Sequence, residues 1–125
     1  MPWLSMPGRP IRRKMVYLMP TSADVREIVM ALCEVEERLT WESATFRVCG
    51  KIFALLHPTE QSVTVKSSKD EQAALLASDA NTFAAAPYTG RFGWVRIRLT
   101  SIDADLLNEL LVDAWRQVAP RRLTE

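Results

Sequence analysis

Hydrophobic positions change their period several times along the chain, and each change predicts an element. Val25, Ile28, Val29 and Leu32 recur at helical spacing behind the cap-type residues Thr21 and Ser22, which predicts a helix near residues 22 to 36. Asp24 and Glu27 stand in its first turn, opposed to the helix dipole, and Glu34, Glu36 and Glu37 crowd its end and should terminate it. From Trp41 to Lys66 the period drops to two: Ala44, Phe46 and Val48 alternate with Ser43, Thr45 and Arg47, and Val63 and Val65 with Ser62, Thr64 and Lys66. These segments read as strands.

Cys49-Gly50 is a two-residue connection with a glycine available for positive φ, so it predicts a hairpin pairing Val48 with Lys51 and Phe46 with Phe53. That register puts Ala44, Phe46, Val48, Phe53 and Leu55 on one side and Thr45, Arg47, Ile52, Ala54 and Leu56 on the other. His57 to Gln61 then turns the chain. Ser68 and Glu71 have capping-box spacing before an alanine- and leucine-rich stretch, which predicts a short helix near 69 to 79. Ala80 to Gly93 reads as a long connection of the kind that binds something or caps an edge. Trp94 to Thr100 alternates again, with Val95, Ile97 and Leu99 opposite Trp94, Arg96 and Arg98. Leu106, Leu107, Leu110, Leu111, Ala114, Trp115 and Val118 then form one apolar helical face, opened after Asp103 and halted at Pro120. The order α-β-β-β-α-loop-β-α is that of an α+β domain with a sheet of about four to five strands and helices packed on one side.

At 125 residues, 48% hydrophobic and 25% charged, the chain has the composition of one ordinary globular domain. Its apolar runs, such as Ile52 to Leu56, fall far short of the roughly 18 residues of a membrane span. The formal charge of +1 conceals an asymmetry. Residues 1–20 hold Arg9, Arg12, Arg13, Lys14 and four prolines with no acid, which leaves 12 basic against 15 acidic side chains in the rest. A domain near −3 lacks the bulk basicity of an avid nonspecific nucleic-acid binder, so any basic site must be local. Residues 1–20 are expected to be a flexible basic arm, 21–120 the domain and 121–125 a tail. An upstream start codon is the other reading of the arm, since Met6, Met15 and Met19 can each open a shorter chain. Met15 to Met19 is too short for the apolar region of a signal peptide, so a cytoplasmic location is expected. In that compartment Cys33 and Cys49 are expected to stay reduced and buried, although they would be able to pair under oxidising conditions.

The string Thr45-Phe46-Arg47-Val48-Cys49-Gly50-Lys51-Ile52-Phe53-Ala54, followed by Val63-Thr64-Val65-Lys66, Ala86-Pro87-Tyr88 and Gly93-Trp94-Val95, resembles the MmcQ/YjbR family of small bacterial proteins over about residues 23 to 119. The resemblance includes Asp24-Val25-Arg26 and the leucine-rich last helix, and it rests on the order and spacing of these pieces together. It implies a curved antiparallel sheet in an α+β fold, and a proposed DNA-binding role through wing-like elements. It supplies no binding residues to transfer. The chain departs from the family pattern at Cys49 and in its N-terminal arm.

The residues themselves offer a surface for that role. Arg47, Lys66, Trp94, Arg96 and Arg98 fall on the side of the sheet away from the core, and Arg91 stands in a glycine-flanked loop as a wing tip. Arginine forks match phosphate oxygens bidentately, and an indole can stack on an unpaired base. Acidic residues are expected chiefly on the helices. The bland alternative is that these are solubilising residues, or that Ile52, Ala54, Leu56 and Trp94 are covered by a helix or a second chain. A protein-interaction or homodimerisation module using a Trp94-centred apolar patch is therefore the competing reading. Enzymatic readings are poorer. His57 is the only histidine, and Cys33, Cys49 and His57 lack ligand-pair spacing, so neither metal nor cofactor is expected. Cys49 beside Gly50 and Lys51 would be able to serve as a nucleophile, but no orienting base accompanies it, and a small residue filling a tight turn explains it more simply. Gly90-Arg91-Phe92-Gly93 precedes a strand rather than a helix and reads as a turn, not a phosphate loop.

Overall fold

A computed structural model of the protein describes residues 20–40 and 43–124. Six antiparallel strands form one sheet: β1 (Val35–Leu39), β2 (Ala44–Val48), β3 (Lys51–His57), β4 (Ser62–Val65), β5 (Phe83–Ala85) and β6 (Val95–Arg98), in the spatial order β1-β2-β3-β4-β6-β5. The helices are α1 (Ser22–Met30), α2 (Lys69–Ser78), α3 (Ala104–Val118) and a short α4 (Arg121–Thr124). The expected basic arm lies outside the described residues apart from Pro20. Among the described residues no helix is long and apolar enough to cross a membrane.

Cap chemistry fixes the helix starts. Thr21 and Asp24 make a reciprocal capping box, the Ser68 hydroxyl accepts the Glu71 amide at 3.1 Å, and the Asp103 carboxylate accepts the Asp105 and Leu106 amides at 3.0 and 3.1 Å. The first helix is shorter than its sequence predicts. It closes at Ala31, the backbone turns through a positive φ at Glu34, and the acids expected to end the helix run instead into β1. There Glu37 is clamped by Arg26 of α1, whose Nε donates to both carboxylate oxygens at 2.9 and 3.1 Å. Charged residues along an outermost strand also discourage another chain from adding to the sheet.

The Cys49-Gly50 hairpin has positive φ at both turn residues, and Val48 pairs with Lys51 as its length requires. One step on, the register slips: Arg47 faces Ile52 but Phe46 faces Ala54, leaving Phe53 as the extra residue of a β-bulge. The expected faces of β3 are corrected by that single residue. Ala54 and Leu56 are buried with Phe46 and Ala44, while Leu55 stands opposite Thr45 and Thr64 on the other side. Phe53 and Ala54 can both be fully buried because the bulge interrupts alternation.

Cross-strand partners share a face, so the ladders define one apolar side made by Phe46, Ala54, Leu56, Val63, Val65, Val95, Ile97 and Phe83. These join Val25 and Val29 of α1, Leu75 of α2 and the Leu107, Leu111, Trp115 stripe of α3 in a single core cluster. All three long helices thus insert their buried residues into the same side. The segment expected to be a tail is docked: α4 follows Pro120, Leu123 packs on the core, and Arg122 holds Glu34 through two hydrogen bonds of 2.9 Å.

Candidate nucleic-acid interface

The side of the sheet away from the helices is built on the row Arg38, Thr45, Leu55, Thr64, Arg96, Ala84, one residue from each strand. Its two flanking rows add Glu36, Arg47 and Ile52 toward one end and His57, Ser62 and Arg98 toward the other. Alternation along the chain carries Lys66 and Trp94 to the same side. Five of the six residues expected at the site are therefore brought together: Arg47, Lys66, Trp94, Arg96 and Arg98. Arg91 is not in these rows. It belongs to a 3-10 turn, Thr89–Phe92, and its guanidinium stacks 4.8 Å from the ring centroid of Phe92.

Each cation already has a local partner, which limits where it can point. Arg47 Nε donates to Thr45 Oγ1 at 3.3 Å; the Lys66 ammonium lies 5.5 Å from the Trp94 ring centroid; Arg98 Nε donates to the Asn81 carbonyl at 3.0 Å. Arg96 pairs with the Glu60 carboxylate at 2.5 Å. Such braces cost a flexible side chain its rotamer freedom before any ligand arrives, so less entropy is lost on binding. The Lys66–Trp94 pair depends on Gly93. With φ at +104°, a Cβ there would lie 2.6 Å from the Ser67 carbonyl oxygen and 2.8 Å from the Ser68 carbonyl carbon. Only glycine allows the chain entering β6 to pass so close to the start of α2.

Charge on this face differs from the expectation that acids lie chiefly on helices. Glu36 on β1 and Glu60 in the 3-10 turn Pro58–Glu60 stand among the cations. Arg38, unrecognised in the sequence, offsets one of them, with its guanidinium 3.8 Å from Glu36. Among the described residues the face carries five cations against two carboxylates. Arg38 escaped notice because Val35-Glu36-Glu37-Arg38-Leu39 has no apolar alternation, and only its ladder with β2 reveals its side.

Two aromatics of the Ala80 to Gly93 connection, expected to bind something or cap an edge, were not among the residues expected at the site. Tyr88 and Phe92 are 93% and 62% exposed, and Phe92 lies against Arg91; aromatic residues and arginine are enriched where protein surfaces meet partners. The combination of Pro87, Gly90 and Gly93 with aromatic residues was the available signal. The competing apolar patch loses Leu56, which is fully buried in the core. Cys33 and Cys49 are free but exposed, contrary to the expectation of burial: one follows the end of α1 and the other occupies the hairpin tip.

Two further groups have shifted acidities. Hydrogen bonding from Thr82 and from the Asn81 and Thr82 amides holds the Asp79 carboxyl below its ordinary value, and the Arg122 guanidinium does the same for Glu34. Neither belongs to the row of cations.

A family model described as YjbR matches residues 30–117. Among solved structures, the crystal structure of a Deinococcus radiodurans protein described by the domain DUF419 superposes with a TM-score of 0.72 at 24% identity, covering 80% of this chain and 79% of the other. That likeness shows the fold. A search of curated proteins finds no match. With the family model spanning most of the chain and the six-stranded α+β architecture shared with a solved structure, the protein belongs to the YjbR family.

Proposed function

We propose that the protein is a non-enzymatic DNA-binding protein of the cytoplasm, contacting the phosphate backbone through the open face of its sheet and an unpaired or splayed base through Trp94. The observation that carries the reading is the convergence of Arg47 of β2, Lys66 at the end of β4, and Trp94, Arg96 and Arg98 of β6 and its approach on the side into which none of α1, α2 and α3 inserts its buried residues. Arg91 with Tyr88 and Phe92 forms a second contact at the edge, where rings can stack and a guanidinium can meet a phosphate. Arg38 extends the row.

The electrostatics set the character of the binding. With about five phosphate contacts, log K should fall with log salt at a slope of roughly −3.5 on a single strand and −4.5 on a duplex, and affinity at physiological salt should be on the order of micromolar. Fluorescence anisotropy of a labelled DNA over a salt series tests this. A steep fall with salt, and loss of binding in an Arg96→Ala/Arg98→Ala double variant, is the expected outcome. Salt-tolerant binding that responds only to Trp94→Ala would point instead to an apolar docking surface for a protein partner or a second copy.

A further inference from the structure

At its β5 end the open face dips into a cleft of about 290 Å³, whose polar wall is made by Glu60, Ser62, Asn81, Thr82, Arg96 and Arg98. The volume lies at the lower edge of the range of small-molecule sites, about 300–1,000 Å³. Strand pairing dictates this grouping: Ser62 is the cross-strand partner of Arg98, and Thr64 that of Arg96. The two guanidiniums therefore flank one hydroxyl on a rigid piece of sheet.

The decisive residue is Ser62. It is only 2% exposed, and its Oγ is buried without a hydrogen-bond partner in the protein. Buried hydroxyls are nearly always paired, because leaving one unpaired is unfavourable. Thr82, on the opposite wall, is the contrast: it is equally buried, but its Oγ1 donates to Asp79 Oδ2 at 2.6 Å and lies 2.8 Å from Ser101 Oγ. Thr82 shapes the wall, and Ser62 has a donor to spare. Arg98 has more. Its Nε is braced on the Asn81 carbonyl, and its terminal nitrogens meet no acceptor among the described residues. The carboxylate facing these donors is that of Glu60, which occupies Arg96 from an exposed turn. An exposed carboxylate–guanidinium pair contributes little net stability and exchanges readily.

We infer that this cleft binds a phosphate monoester, with Arg98 and Ser62 as standing donors and Arg96 released to the ligand when Glu60 swings away. Donors converging from two strands suit a tetrahedral oxyanion, whose oxygens point in several directions. The inference shares two arginines with the proposed DNA surface, but it rests on the cleft and on Ser62 and needs no duplex. A monoester reaches the cleft as the terminal 5′-phosphate of a strand or as a phosphorylated small molecule, and the two sources are separable.

The test is a ¹⁵N NMR titration of the full chain with inorganic phosphate and with ribose 5-phosphate. Saturable amide shifts confined to residues 60–64, 80–84 and 96–98 are expected. Glu60→Gln should tighten binding several-fold by removing the internal competitor, and Arg98→Ala should weaken it about tenfold or more. Ser62→Ala should also weaken it without lowering the melting temperature, because that hydroxyl has no partner to lose; a purely structural serine would behave the opposite way. If a 5′-phosphate strengthens oligonucleotide binding over a 5′-hydroxyl, and Ser62→Ala removes the gain, the strand end is the source. If ribose 5-phosphate binds and the oligonucleotide gain is nil, a phosphorylated small molecule is the source. Shifts that fail to saturate, or that Arg98→Ala and Ser62→Ala leave unchanged, overturn the site. Salt-dependent DNA binding with no phosphate site would strike this inference alone, and a phosphate site with no DNA binding would strike the DNA reading alone.

Discussion

The two faces of the sheet use the same strands for opposite purposes. On the helix side Phe46, Leu56, Val63 and Ile97 are fully buried and share one core cluster with apolar residues of α1, α2 and α3. On the open side Thr45, Ser62 and Thr64 are nearly as inaccessible, yet their cross-strand and same-row neighbours are the long side chains Arg47, Leu55, His57, Arg96 and Arg98 rather than residues of α1, α2 or α3. One face is packed against helices, and the other sets short polar residues beside long charged ones. The first arrangement makes stability, whereas the second keeps braced charged tips at the surface, where a ligand can meet them.

Substitutions should separate the faces cleanly. The largest effect is expected at the core: Phe46→Ala should cost about 3–5 kcal/mol in chemical denaturation, since the ring is fully enclosed and its cavity cannot collapse against a rigid sheet. Gly93→Ala comes next, at about 2 kcal/mol or more, from a strained φ and a clash with the backbone before α2. If Gly93→Ala proves neutral, the close approach that pairs Lys66 with Trp94 is wrong. Arg96→Ala/Arg98→Ala should invert the pattern, with DNA affinity down about tenfold or more and stability changed by less than about 1 kcal/mol. The smallest effect is acid sensitivity. The carboxyls of Asp79 and Glu34 are held below their ordinary values by hydrogen bonds that exist only in the fold, so their contribution is present above the ordinary carboxylate range and lost as pH falls through the folded pKa. The melting temperature should therefore drop slightly between about pH 5 and pH 3, and Glu34→Gln should remove part of that dependence.

Legibility in the sequence followed the same division. The core strands and α3 were readable because apolar periodicity is the direct imprint of burial: Val63 and Val65, Val95 and Ile97, and the leucines of α3 all face where their spacing puts them. The outer strands were not. β1 is mostly charged and β5 has three residues, so neither imprints a period: β1 reads as the end of the first helix and the turn after it, and β5 as part of the Ala80 to Gly93 connection. The bulge at Phe53 was equally hidden, because Lys51 to His57 offers apolar residues at consecutive positions and either phase would fit. Arg47, Lys66, Trp94, Arg96 and Arg98 were placed on one side despite the wrong phase for Ala54 to Leu56, since their own strands are unbulged. Glu60 and Ser62 escaped because a turn acid and a strand serine are ordinary in sequence. Only the ladder pairing Ser62 with Arg98, and the reach of Glu60 to Arg96, gives them a purpose.

The central claim is that the open face, and not the helical side, meets DNA. Backbone amide shifts recorded while a short DNA is added test it most directly. Changes clustered on β2, β4 and β6 around Arg47, Thr64, Lys66, Arg96 and Arg98, diminishing as salt is raised, are the predicted result. Changes confined to the outer surfaces of α1 and α3, or none at any salt concentration, would contradict it.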